Sequence, residues 1–310
     1  MNTKKKIRQQ FADTMLEIGK KNKNLVVLVS DISHGLLKKF DKECKNQYYN
    51  LGICEQAIVS TAAGLAKVGF NTVIHTIAPF LIERSYEQIK LGFGYQKLGA
   101  NFVSVGGTYD YTKLGCTHHS YSDFSLLSHF PSCNIFIPGS AKEFDALFKK
   151  NYKKKEINYF RLTEFPHNLD CKINNDGQAT KLLNGKDITL VCVGNKLKEG
   201  WEAYKELKNK ISIELLYYNC VKPIDKKKLL LSARKTKKIV IIEEFSSEGG
   251  FFHQCLKVLA KEKNILSESI AIKPFIHDYG SYEYLNLKSG VNKKNIIKKI
   301  RKLCKNEKTN

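Results

Sequence analysis

An α/β fold is predicted, with two domains that each hold a mostly parallel sheet flanked by helices. Three observations carry it. Short continuous apolar runs recur, Leu25 to Val29, Ile188 to Val193 and Ile239 to Ile242, as in strands buried on both faces of a parallel sheet. Segments of helical spacing alternate with them. A polar, turn-rich stretch, with Asn174-Asn175-Asp176-Gly177 and Asn184-Gly185, then divides two such alternating series. The expected organisation is a first domain over 1–165, a linker over 166–186 and a second domain over 187–310. A chain of 310 residues has room for both cores.

The elements follow in order. Residues 5 to 20 place Ile7, Phe11, Met15, Leu16 and Ile18 at helical spacing. Leu25 to Val29 reads as a strand ending at Ser30-Asp31, and Tyr48 to Leu51 as a short strand. A helix opens at Glu55, reads as buried on most sides, and stops at Gly69. Asn71 to Ile77 is the next strand, and Pro79-Phe80-Leu81 opens a helix carrying Tyr86 and Ile89. Phe102 to Val105 is a strand, followed by a long loop from Gly106 to Ser122. Asp123 has the type and place of a helix N-cap before Phe124 to Leu127. Ile135 to Ile137 leads through Pro138-Gly139-Ser140 into a helix, and residues 157 to 164 form the last strand of the first unit. The second unit has strands at Ile188 to Gly194, Ile213 to Tyr217 and Ile239 to Ile242, with a helix around Trp201 to Leu207. Glu243-Glu244 and Gly249-Gly250 follow the last of these strands. The final helix shows Ile296, Ile297, Ile300 and Leu303 on one face and lysines opposite, an amphipathic surface helix. There is no internal repeat.

Composition narrows the function. The 42% hydrophobic content fits a soluble globular protein. No apolar run approaches bilayer-spanning length. The basic start, Met1-Asn2-Thr3-Lys4-Lys5-Lys6, leads into no signal-peptide core, so a cytoplasmic location is expected. The nine cysteines are scattered and form no Cys-x-x-Cys pair, which indicates neither a zinc site nor a redox motif. Lys plus Arg number 52 against 30 Asp plus Glu, a net charge of +22. The lysines are spread along the whole chain. Nucleic-acid readers instead cluster arginines and stacking aromatics on a recognisable module, so nucleic acid is not the expected partner. The basic surface suits steering of an anionic substrate or partner chain.

The most informative segment is Asn50-Leu51-Gly52-Ile53-Cys54-Glu55-Gln56. It puts a carboxylate in the first turn of an apolar helix, where a core-facing Glu is costly without a dedicated partner. Complementing the helix dipole is the plainer role. Further signals follow in order: Ile7 to Ala12, Ser30-Asp31-Ile32-Ser33, Gly64-Leu65-Ala66 with Gly69, Phe80-Leu81 then Tyr86 to Ile89, and Gly115-Cys116-Thr117-His118-His119 then Asp123. Val221 to Asp225 and the Glu243-Glu244 and Gly249-Gly250 pairs complete the series. In this order and spacing the chain resembles the C-terminal portion of the transketolase family, a pyrimidine-binding domain followed by the transketolase C-terminal domain. The resemblance spans nearly the whole sequence.

The resemblance implies thiamine diphosphate chemistry. That cofactor must lose a proton from its thiazolium carbon, and its own amino group takes the proton in the imino form of the pyrimidine. A carboxylate bonded to the opposite ring nitrogen favours this tautomer, a role that falls to Glu55. The flat pyrimidine needs a stacking face, for which Phe80 is the candidate, an ordinary core Phe being the other reading. His118 is a candidate acid/base or oxyanion donor, and His119 a second. Each is otherwise a loop histidine. Arg8 resembles an arginine that meets the substrate's anionic end, and is otherwise a solvated helix arginine.

Transketolases hold the diphosphate and Mg2+ with a Gly-Asp-Gly plus Asn motif, and no such segment occurs in these 310 residues. The resemblance therefore implies an N-terminal partner subunit, an α2β2 assembly with the cofactor at the interface, and no metal ligands in this chain. The implied reaction is transfer of a two-carbon ketol unit between sugars or sugar derivatives. The long loop lacks an obvious earlier histidine that would help bind sugar phosphate, and two positions depart from the family. Leu114 replaces the Asp that precedes Gly-x-Thr-His, and Glu164 stands where an arginine for phosphate is often found, where a carboxylate repels phosphate. Standard sugar phosphates are thus not the expected substrates. The β subunit of a 2-oxo acid dehydrogenase, with the same two domains, is the alternative. A basic scaffold that kept the fold is a third reading, disfavoured by Glu55.

Overall fold

A computed structural model describes residues 5–273 and 275–305. Residues 1–4 of the basic start and 306–310 at the end of the expected second domain lie outside the described residues. In chain order the elements are α1 (Ile7–Lys21), β1 (Leu25–Val29), α2 (His34–Glu43), β2 (Tyr48–Asn50), α3 (Glu55–Lys67) and β3 (Asn71–Ile77). A π-helical turn, Pro79–Glu83, leads into α4 (Tyr86–Ile89) and a second π turn, Lys90–Tyr95. Then come β4 (Ala100–Val105), α5 (Asp123–Ser128), β5 (Cys133–Phe136), α6 (Ala141–Asn151) and β6 (Ile157–Arg161). The remainder is β7 (Thr180–Leu183), β8 (Ile188–Val193), α7 (Leu197–Leu207), β9 (Ile213–Tyr218), β10 (Cys220–Lys222), α8 (Lys226–Thr236), β11 (Lys238–Ser246), α9 (Phe251–Leu259), β12 (Leu266–Ile272), α10 (Tyr282–Ser289) and α11 (Lys293–Lys305).

The strands build two sheets, of order β10-β5-β6-β4-β3-β1-β2 and β12-β11-β8-β9-β7. All pairs are parallel except β10 on β5 and β7 on β9, at the sheet edges. The apolar runs form strands buried along their whole length, as their composition requires. The amphipathic helices cover the faces. On α1 Ile7, Phe11, Met15 and Ile18 point inward, and on α11 Ile296, Ile297, Ile300 and Leu303 do so. Among the described residues no helix is long and apolar enough to cross a membrane.

The tertiary structure differs from the sequence expectations at three places. The stretch expected as linker contributes β7, the antiparallel edge of the second sheet. β10, expected within the second unit, crosses over and closes the first sheet against β5. The helix α3 is buried on one face only, through Glu55, Ile58, Val59, Ala62 and Ala63. Ala57, Ser60, Thr61 and Gly64 face outward, because small residues suit a contact surface as well as a core.

The two units are joined by a buried carboxylate. Glu143, in the first turn of α6, accepts Tyr217 Oη at 2.6 Å and Asn219 Nδ2 at 3.1 Å from the second unit. Its other oxygen takes Ser140 Oγ at 2.8 Å and lies 2.9 Å from His167 Nε2. Such a group tolerates burial because its lone pairs are met.

Candidate active site

In a parallel sheet the crevice for a ligand opens at the carboxyl ends of the strands, where the connections diverge. Here β1 leads to β2 on one side and β3 leads to β4 on the other, so the crevice lies at the β1/β3 boundary. Ser30 follows β1, Glu55 follows β2, Phe80 follows β3 and the His118 loop follows β4.

Glu55 is the first residue of α3 and only 2% exposed. Its partners are protein groups. Ser30 Oγ donates to Oε1 at 2.8 Å, and Arg84 Nη1 donates to Oε2 at 2.7 Å. Each carboxylate oxygen keeps a further lone pair for a ligand. The Arg84 guanidinium also lies over the Phe80 ring, 4.1 Å from its centroid, a cation–π contact. Phe80, half-buried, meets the His118 ring edge-on at 5.1 Å. Glu55, Arg84, Phe80 and His118 thus form one continuous wall.

The two histidines differ. His118 ends a short 3-10 turn, Cys116–His118, half-exposed, with Nδ1 2.9 Å from Thr117 Oγ1. Partial burial and then the Arg84 charge hold its pKa below the ordinary histidine value, so it is neutral near pH 7. His119 is 4% exposed, packs edge-on against Tyr109 at 5.2 Å, and is also shifted down by burial. Geometry brings His118 to the crevice and puts His119 behind it. Leu114 is exposed on the same loop. Gly115 has φ +71°, and a side chain there would strike the Tyr279 ring, so the loop passes tightly under the C-terminal segment.

Asp123 is not the N-cap of α5. Ser122 holds that position, and Asp123 is the first helical residue, fully buried. Its Oδ2 accepts Tyr159 Oη at 2.6 Å and Arg161 Nε at 2.7 Å. Arg161 Nη2 in turn donates to Thr108 Oγ1 at 2.6 Å and to Ser120 O at 2.8 Å. Those two residues pair across the base of the long loop. Glu244 of β11 completes the cluster, 4.0 Å from Arg161 Nη1 and 2.8 Å from Lys196 Nζ. Although burial works against its charge, Lys196 and Arg161 hold the Glu244 carboxyl below its usual range. Neighbouring Glu243 accepts the backbone N–H groups of Phe251 and Phe252 at 2.6 and 2.9 Å. It reaches them past Gly250, where a side chain would collide with Ser246 O and with the carboxylate itself.

Asp110 accepts Thr163 Oγ1 at 2.9 Å and the Glu164 N–H at 3.0 Å. Burial, then Glu244, pushes its pKa from 3.8 up to about 8. The folded chain therefore keeps a proton there that the unfolded chain has released. Stability falls as pH rises from about 4 to about 8. Asp110→Asn retains an acceptor and removes the titration. Its denaturant-unfolding free energy relative to the parent should rise between pH 5 and pH 8 by about 2 kcal/mol or more. An equal difference at both pH values would contradict the assignment.

Arg8 sits on α1 with Nε 2.7 Å from Ser33 Oγ and Nη1 3.9 Å from Glu164 Oε1. Arg84, Ser30, Ser33 and Tyr111 belong to this site, with His75 fully buried behind Ser33, and none of the five was among the sequence candidates. Arg84 had a local signal, four positions after Phe80 on a helical segment. His75 had another, the one titratable residue of the strand Asn71–Ile77. Among the described residues no group of three His, Cys, Asp or Glu side chains stands together to hold a metal ion.

Residues 3–165 match the family model described as transketolase, pyrimidine binding domain, and residues 177–296 match that described as transketolase, C-terminal domain. The chain is 32% identical over 252 residues to a subunit of the apulose-4-phosphate transketolase of Phocaeicola vulgatus, covering 78% of this chain and 80% of that one. It is 26% identical to the 6-deoxy-6-sulfo-D-fructose transketolase subunit SqwH of a Clostridium species, covering 94% and 92%. Among solved structures it superimposes on one described as split gene transketolase, inactive beta4 tetramer, with a TM-score of 0.84 and 27% identity, covering 96% of this chain and 98% of the other.

Proposed function

This chain belongs to the transketolase family as a thiamine diphosphate-dependent transferase subunit, and we propose that it is the C-terminal half of a two-chain enzyme moving a ketol unit between sugars or sugar derivatives. The observation that carries this reading is the buried Glu55 carboxylate on the crevice wall with Phe80 and His118. The donor set suits the pyrimidine of the cofactor: a buried acceptor beside an aromatic face. Arg84 covers that face, and at 37% exposure it is free to yield to a flat ring. Thiamine diphosphate supplies, when bound, the nucleophilic carbon that carries the two-carbon unit. Glu55 would favour a proton on the pyrimidine ring, with Ser30 fixing Oε1 and Oε2 left to the ring once Arg84 has moved aside. Phe80 offers the stacking surface. Neutral His118 donates to, or takes a proton from, a substrate oxygen, and Arg8 meets the polar end of the substrate.

The partner is an N-terminal subunit with the Gly-Asp-Gly motif for diphosphate and Mg2+, assembled as α2β2. Two features support a second chain. The exposed face of α3 is ringed by exposed Ile53, Val68, Leu91 and Tyr95, an apolar surface suited to an interface. The similar relatives are named as subunits, and the similar solved structure is a β4 assembly named as inactive. These names also set aside the 2-oxo acid dehydrogenase alternative. One relative is named for a sugar phosphate, apulose 4-phosphate, and the other for a sulfo sugar. Glu164 beside Arg8 offsets the cation that would attract a phosphate, and exposed Leu114 brings no carboxylate to a substrate hydroxyl. Both support a specialised acceptor.

Calorimetry with thiamine diphosphate and Mg2+ tests the reading. Binding is expected only when this chain is mixed with a partner carrying the missing motif. Tight binding by the chain alone, or none by an assembled pair, would refute it. Fast turnover of xylulose 5-phosphate with ribose 5-phosphate would refute the specialised substrate.

A further inference from the structure

Ser30–Ser33 is a turn at the end of β1 with two residues in the left-handed region, Asp31 at φ +45° and Ser33 at φ +58°. Such conformations persist in L residues only where neighbours enforce them. Four contacts do so here. Ser30 Oγ holds Glu55 at 2.8 Å, and the Asp31 N–H donates to Asn50 Oδ1 at 3.0 Å. Ser33 Oγ lies 2.7 Å from His75 Nε2 and 2.7 Å from Arg8 Nε.

The protons in this chain of contacts have one arrangement. His75 Nδ1 is 2.8 Å from Val103 O, and a carbonyl only accepts, so Nδ1 carries the hydrogen. Nε2 of the neutral ring is then an acceptor, and the Ser33 hydroxyl donates to it. The Ser33 oxygen is left to accept Arg8 Nε–H. His75 has no exposed surface, and Phe11 packs on its ring at 4.3 Å. Burial drives its pKa down to about 3, so the tautomer persists through the working pH range.

We propose that His75 is a positioning residue: through Ser33 it fixes the Arg8 guanidinium at the substrate end of the crevice, on the same turn that holds Glu55. The proposal rests on the ketol-transfer reading, which gives Arg8 a substrate to meet. An inert packing role at this strand position would be filled by an apolar side chain, as at neighbouring Val73 and Ile74.

Two measurements test it. Nitrogen-15 NMR of the chain alone should show His75 as the Nδ1–H tautomer without titration from pH 5 to 8. In Ser33→Ala its Nε2 resonance should move while the tautomer stays. A titrating ring or an Nε2–H tautomer overturns the relay. In the assembled complex, with D-xylulose and its 5-phosphate as donors, His75→Phe should raise KM at least tenfold. Its kcat should stay within threefold and its cofactor affinity within twofold. His75→Gln, which offers one acceptor and one donor, should recover KM to within threefold. An unchanged KM in His75→Phe, or parallel losses of kcat, cofactor binding and thermal stability that Gln does not recover, overturns the positioning role. A wild-type complex that binds no thiamine diphosphate refutes the functional reading instead, and the NMR measurement still decides the relay.

Discussion

Glu55→Gln in the assembled complex is expected to lose about 10²–10⁴-fold in kcat, the range for a positioned proton-transfer group. The substitution keeps shape and volume. Gln still accepts from Ser30 or Arg84, but it cannot hold a proton shared with a ring nitrogen as a carboxylate can. Stability should change little. Arg84 is more than a third exposed, so the lost ion pair is worth at most ~1 kcal/mol. The measurement is ketol transfer with thermal melting on the same samples. Activity within tenfold of wild type would remove Glu55 from the reaction. A helix-dipole role alone would leave kcat intact and change only the melting temperature.

Arg161→Met should have the largest effect on folding. Arg161 is 4% exposed and faces two carboxylates, Asp123 and Glu244, both nearly without solvent. Removing one member of a buried ionic cluster leaves uncompensated charge and costs about 3–5 kcal/mol. Glu244 retains Lys196 at 2.8 Å. Among the described residues Asp123 retains Tyr159 Oη and the Phe124 N–H, neither of them a cation, so it carries most of the penalty. Adding Asp123→Asn should recover part of the loss, since the two sites share one contact. Denaturant midpoints of the single and double variants check this. A loss below about 1 kcal/mol would show that the cluster is dispensable. Activity should also fall, because Arg161 ties Thr108 and Ser120 at the base of the His118 loop.

The site was unevenly legible in the sequence. The carboxylate in the first turn of α3 and the histidines after β4 were visible because motif spacing and strand endings are local. Arg84 was overlooked although it stands one helical turn beyond Phe80. The choice between His118 and His119 needed the packing of Tyr109, which no spacing reveals. Asp123 has a capping residue's type but stands one residue inside the helix, where a better use in the interior overrides that propensity. Its partner Arg161 is 38 residues away.

By itself the sequence determined the alternation of helices and strands, the two-unit order and the residues that begin each crevice loop, because apolar periodicity and turn chemistry act between near neighbours. Only the tertiary structure decided that α3 leaves one face outward, that β10 closes the first sheet, and that Arg8, Ser33 and His75 form one line of hydrogen bonds. These depend on contacts between segments far apart in the chain. Their energies come from burial and from meeting buried polar groups, and neither quantity is defined until the segments have packed.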